Sequence, residues 1–129
     1  MEKINDPAYK ILIDPPRKYV EVHMIGLWDA ATVQRFDRDL RRLLPALPKG
    51  GCRMGEQITL FDSTAFPVQP QDVSAHLAGM AADRSIGSRR IAVLVSGVLN
   101  KLQTRRIAPG YHIFDDRNEA LAWLAETDD

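Results

Sequence analysis

One cysteine, three histidines and a scatter of carboxylates are the side chains on which chemistry could rest. Cys52 lies in Gly50-Gly51-Cys52-Arg53-Met54-Gly55. A thiolate nucleophile needs a base beside it, and no histidine adjoins Cys52 in sequence; a lone cysteine also forbids an internal disulfide and a multi-cysteine metal site. His23, His76 and His112 fall in separate segments without paired metal-ligand spacing. The glycine-rich run lacks the Gly-Lys-Ser/Thr ending of a phosphate loop and leads into a strand, so it reads as a connector. Asp115-Asp116 reads as carboxylates answering the free N–H groups of a helix start. Ser96-Gly97, where an apolar strand gives way to a helix, is the candidate anion or ligand site. A serine cap followed by a glycine turn accounts for the same pair without any ligand, and that reading is preferred. No catalytic constellation assembles; the expectation is a non-enzymatic protein without metal or cofactor.

The whole chain narrows the classes further. It has 129 residues, 14.5 kDa, with 17 Lys+Arg against 17 Asp+Glu and 45% hydrophobic residues. That is one domain's worth of chain, expected to span 1–129, large enough to bury a core without staples. Zero net charge argues against nucleic acid as a partner, because phosphate binding leaves a basic excess. Arginine outnumbers lysine 12 to 5, with doublets at Arg41-Arg42, Arg89-Arg90 and Arg105-Arg106. Interspersed acids make these solvated faces more readily than one acidic-partner patch. The strongly apolar run Ile91–Val95 is too short to span a bilayer. The start Met1-Glu2-Lys3-Ile4-Asn5-Asp6-Pro7 shows no apolar core behind a basic segment, so the expected location is cytoplasmic.

The elements that must position these residues follow from periodicity. Lys10–Ile13 and Tyr19–Ile25 read as strands of an antiparallel hairpin turned by Asp14-Pro15-Pro16-Arg17. Past Gly26 the step becomes helical, with Val33, Phe36, Leu40, Leu43, Leu44 and Leu47 inward, Asp29 as cap, and Pro45 and Pro48 ending the run. Gln57–Asp62 reads as a strand, a helix follows from about Pro70 to Asp83, and Ile91–Val95 is a central strand covered on both faces. A third helix buries Val98, Leu99 and Leu102; Tyr111–Phe114 is a short strand, and Asp116-x-x-Glu119 opens a closing helix. The order β-β-α-β-α-β-α-β-α predicts a single α/β domain with about four helices and a mixed, mostly parallel sheet.

With those elements placed, the sequence resembles the SpoIIAA-like group, the STAS-type domains that include anti-sigma-factor antagonists and the STAS/SEC14 variant. The resemblance runs from about Tyr9 to Glu126. It is carried by Gly26-Leu27-Trp28-Asp29-Ala30-Ala31-Thr32, Ile58–Asp62, Arg90–Val95 and, most distinctively, the tail Phe114–Leu124. It implies a (βα) superhelical fold without catalysis, used for binding a protein partner and in some relatives an apolar ligand; the expectation for this chain is association with a protein partner or self-association as a homodimer. By resemblance the partner zone comprises Asp62, Ser63, Thr64, Gln71 and Asp72. The phosphorylated hydroxyl of anti-sigma antagonists would fall near Gln71 and Asp72, where no hydroxyl stands, and Ser74 lies one turn into the helix. The alternative is a carrier or sensor of a lipid-like molecule in a cavity under the second and third helices, resting on Leu77, Met80, Val98 and Leu102. Trp28 and Trp123 are candidates for either core or interface.

Overall fold

A computed structural model describes residues 1–127. Six strands form one sheet in chain order: β1 Glu2–Asn5, β2 Tyr9–Asp14, β3 Tyr19–Ile25, β4 Ile58–Ala65, β5 Arg90–Leu94 and β6 His112–Phe114. The first three are antiparallel, and β3 to β6 are parallel. The helices are α1 Ala30–Leu43, the single turn α2 Ala46–Lys49, α3 Gln71–Ala82, α4 Val98–Ile107 and α5 Arg117–Ala125.

Strand alternation sorts the core into two layers. Tyr9, Ile11, Ile13, Val20, Val22 and Met24 face Val33, Phe36 and Leu40 of α1 and Val73, Leu77 and Met80 of α3. The other face carries Leu60, Ala92 and Leu94 against Ala120 and Leu124 of α5. β5 is thus covered on both sides, as its unbroken apolar run predicts. Asp29 caps α1 by accepting from Thr32 N–H at 2.8 Å, and Asp116 caps α5 by accepting from Glu119 N–H at 2.9 Å. The mostly parallel (βα) architecture therefore agrees with the sequence reading.

Several details do not. The predicted hairpin is a three-stranded meander, because Glu2–Asn5 pairs along β2. Three of its four residues are exposed at the sheet edge, so no alternation betrays it. Pro45, which lacks an N–H, breaks the first helical run, and Leu47 is buried from the separate turn α2. The strand predicted to stop at Asp62 continues to Ala65, which places Asp62, Ser63 and Thr64 inside β4. The third helix is turned over. Val98, Leu99 and Leu102 are 73%, 69% and 47% exposed, while Asn100, Gln103 and Thr104 are buried.

The glycine-rich connector is packed where it meets the hairpin turn. Cys52 is fully buried and its N–H donates to Leu47 O at 2.8 Å. A Cβ on Gly50 would collide with the Pro15 ring, so only glycine fits there. Burial pushes the Cys52 thiol up from its ordinary value, opposite to the activation a nucleophile needs.

Candidate functional site: the carboxyl-end rim of the parallel strands

The connections β3–α1, β4–α3 and β5–α4 all leave the carboxyl ends of parallel strands, where open α/β sheets place their binding surfaces. Buried amides hold the three together. The Gln69 side chain accepts from Trp28 N–H at 2.7 Å and donates through Nε2 to Gly26 O at 2.9 Å and Pro67 O at 2.8 Å. Its own N–H donates to Gln103 Oε1 at 2.6 Å, and Gln103 Nε2 donates to Pro67 O at 3.2 Å. Asn100 accepts from Ser96 N–H and donates to Phe66 O, both at 3.0 Å. Gly26, at φ +77°, takes the left-handed turn that sends the chain from β3 into this network. The buried polar stripe of α4 therefore faces loop backbone, which needs partners more than it needs apolar cover.

The sequence-predicted residues divide in this setting. Thr64 is exposed; its hydroxyl and N–H both donate to Asp62 Oδ1, at 2.6 and 3.0 Å. Ser96 Oγ donates to Thr64 O at 3.0 Å, so the predicted partner zone and the predicted Ser96-Gly97 site meet. Ser63 is buried, its hydroxyl donating to Leu94 O at 2.9 Å. Gln71 and Asp72 are exposed at the start of α3, beyond the Phe66–Pro70 segment, and Asp72 Oδ1 accepts locally from Val73 N–H at 2.9 Å. Ser96 does not cap α4: the cap position is Gly97, without a side-chain hydrogen bond. Its hydroxyl is instead spent on β4, which corrects the predicted serine cap.

Sequence reasoning missed the apolar character of this rim. Leu27, Val68, Val98, Leu99 and Leu102 are exposed large apolar residues, the first two on the β3–α1 and β4–α3 connections and the other three on the first turns of α4. Among the described residues only Met1 and Met54 are comparable elsewhere. Trp28 lies under the rim, not on it: it is 2% exposed and packs on Phe36 and Phe66 at 5.1 and 4.9 Å.

Beneath the rim a cavity of about 110 Å³ separates the sheet from α1, α3 and α4, with Val22, Met24, Phe36, Leu77, Met80 and Ile107 in its wall. Pockets for drug-sized ligands begin at roughly 300 Å³. Leu77 and Met80 line it as predicted; Val98 and Leu102 point away from it into solvent.

On the opposite sheet face a charged chain reaches Asp62. His23 lies with Nδ1 3.6 Å from Asp62 Oδ2 and Nε2 2.6 Å from Glu21 Oε2, and Arg117 donates to Glu21 Oε1 at 2.6 Å beside the Tyr19 hydroxyl. Burial disfavours the Glu21 carboxylate. Hydrogen bonds from Tyr19, His23 and Arg117 outweigh that and hold its pKa below the ordinary value. A carboxylate depressed in the folded state contributes stability above its unfolded pKa and loses it as pH falls through the folded one. Glu21→Gln is therefore expected to lower the urea midpoint at pH 7, with the deficit shrinking as pH falls below the ordinary glutamate range. A deficit constant across pH would remove the charge from the account.

The histidines and two of the three arginine doublets, Arg41-Arg42 and Arg89-Arg90, have local employment. His76 Nε2 is 2.8 Å from Asp37 Oδ2, and Arg41 reaches Asp37 and Asp83. Arg89 and Arg90 donate to the Leu124 and Trp123 carbonyls at the end of α5, where cations suit the helix dipole. Among the described residues no group of His, Cys, Asp or Glu is arranged to hold a metal ion, and no helix is long and apolar enough to cross a membrane.

Sequential strand order, the parallel half wound through helices on one face, and the carboxyl-end rim define the SpoIIAA-like α/β fold. Solved structures agree. An uncharacterized protein of the DUF3478 family with a SpoIIAA-like fold, from Shewanella loihica PV-4, superposes with TM-score 0.68 at 19% identity, covering 97% of this chain and 100% of that one. An anti-sigma factor antagonist from Mycobacterium paratuberculosis gives TM-score 0.63 at 12% identity over 95% and 100% of the two chains. No family model and no curated protein matches the sequence.

Proposed function

We propose that this chain is a non-catalytic regulatory domain that acts by binding protein at the carboxyl-end rim. The observation that carries the reading is the set of exposed apolar residues Leu27 and Val68, on connections that buried glutamines hold in place, and Val98, Leu99 and Leu102 on the adjoining first turns of α4. Exposed apolar residues scattered singly need no explanation; their concentration on one surface marks an interaction site. Thr64, Gln71, Asp72, Ser96 and Gly97 supply the exposed polar border, as an association surface requires, while Asp62 orients Thr64 and Ser63 fixes β4 to β5. The anti-sigma factor antagonist among the structural neighbours supports a regulatory role. The absence of a hydroxyl at Gln71 and Asp72 supports regulation without the phosphoswitch.

Photo-crosslinking in the native host, with a photoreactive residue at Val68, tests this. Discrete adducts of defined mass are expected from Val68 and none from Arg53, an exposed site away from the rim. Equal labelling from both positions would overturn the reading.

The cavity is the observation behind the second reading, an apolar carrier. A native mass spectrum of untagged protein is expected to show retained mass, lost on denaturation, if the carrier reading is right, and the bare chain or its multiples if it is not.

A further inference from the structure

We infer that the rim partner is a second copy of this chain, joined by a two-fold axis that packs α4 against α4 in antiparallel fashion; this rests on the rim being an association surface. The helix is built inside out, with Asn100, Gln103 and Thr104 buried and Val98, Leu99 and Leu102 exposed. It is also the last helix on its layer: α1 packs on α3 and α3 on α4, which leaves its outer flank open.

The charge pattern along that flank is self-complementary. Lys101, Arg105 and Arg106 are exposed towards the carboxyl end, and α4 contains no acidic residue. At the other end, Phe114 O accepts from Val95 N–H at 2.9 Å, three residues before α4 begins, and Asp115 follows Phe114 directly, exposed. The flank thus reads acidic, apolar, basic. A two-fold axis near Leu102 brings Leu99 and Leu102 of each copy together and sets Arg105 and Arg106 of one copy towards Asp115 of the other. An isologous interface needs this property, the same patch complementing itself when reversed. Antiparallel helix dipoles reinforce it, and the formal net charge of zero presents no overall repulsion between copies.

Sedimentation velocity and native mass spectrometry over a concentration series up to about 1 mM read the assembly directly. The expected result is a species of twice 14.5 kDa that weakens with salt. Leu102 is 47% exposed in the single chain, so Leu102→Lys keeps the fold, checked by circular dichroism, and is expected to raise the dimer Kd by about 30-fold or more. The double variant Arg105→Glu, Arg106→Glu is expected to be monomeric, and adding Asp115→Lys to it in the same chain to restore the dimer. A monomer at every concentration overturns self-association while leaving rim binding to be judged by the Val68 adducts, whose mass then identifies a different protein. A dimer indifferent to Leu102→Lys, or charge reversals that fail to rescue each other, overturns the placement on α4.

Discussion

Trp28→Ala is expected to cost about 3–5 kcal/mol of folding stability, the range for emptying a buried large aromatic site. Trp28 sits where three short-range supports converge. Its ring meets Tyr9 at 6.0 Å, Phe36 at 5.1 Å and Phe66 at 4.9 Å, mostly edge to face, and such pairs add to simple burial. Its indole N–H donates to Ile25 O at 3.0 Å and Ala8 O at 3.2 Å, joining β3 to the turn before β2. Domains of this size are stable by about 5–15 kcal/mol in total, so the variant sits near its unfolding midpoint at the lower end of that range. Guanidinium unfolding followed by circular dichroism measures the loss, with Trp28→Phe expected to fall between the two. A loss below about 1 kcal/mol would place the indole in solvent and contradict the core described above.

The second large effect is expected at Gln69→Leu. Leucine has about the same size but leaves the Trp28 N–H and the carbonyls of Gly26 and Pro67 without the partner they now share. Leaving one such buried group unpaired costs about 1–3 kcal/mol, so a loss of about 3 kcal/mol is expected once Pro67 O keeps its bond from Gln103. Gln103→Leu removes the acceptor of the Gln69 N–H and is expected to cost less. Because each side chain still serves Pro67 O when the other is removed, and only the double variant strips that carbonyl of both donors, the double variant should lose measurably more than the sum of the singles. Strict additivity would show two independent supports in place of one latch. Rim binding should weaken in Gln69→Leu even under conditions where the protein stays folded, since Leu27 lies between the Gly26 O and Trp28 N–H that Gln69 holds and Val68 adjoins Gln69 itself.

What the sequence announces and what it conceals differ for reasons visible at single residues. Strands β2 to β4 and helices α1, α3 and α5 are legible because burial imposes period 2 or 3.6 over enough residues, β5 because its run is apolar throughout, and α1 and α5 also because Asp29 and Asp116 stand at their capping positions. β1 is not, since Glu2, Lys3 and Asn5 lie exposed and only Ile4 packs against the core. For α4 the spacing contains two stripes, Val98-Leu99-Leu102 and Asn100-Gln103-Thr104-Ile107, and periodicity alone does not say which faces in. The natural choice is the apolar one, yet the Phe66–Gln69 segment lies against α4 with carbonyls and N–H groups to satisfy. The polar stripe turns inward to meet them, and the apolar stripe becomes the candidate surface. Asp62, Ser63 and Thr64 enter the sequence reading only through the resemblance, and the meeting of Thr64 with Ser96 depends on the pairing of β4 with β5, which no local pattern encodes.

The strands lie side by side in the order in which they are translated. Each new strand therefore finds its hydrogen-bonding neighbour already made, and no slot must be held open for a segment still to come. Loop closure between consecutive strands is short by the standards of α/β sheets whose strand order is shuffled, which favours rapid folding. During synthesis the β1–β3 meander can form first and grow outward one crossover at a time, with β4 as the exposed edge until Arg90–Leu94 emerges. α4 arrives after both loops that its polar stripe must satisfy, so the rim is the last part of that layer to be completed.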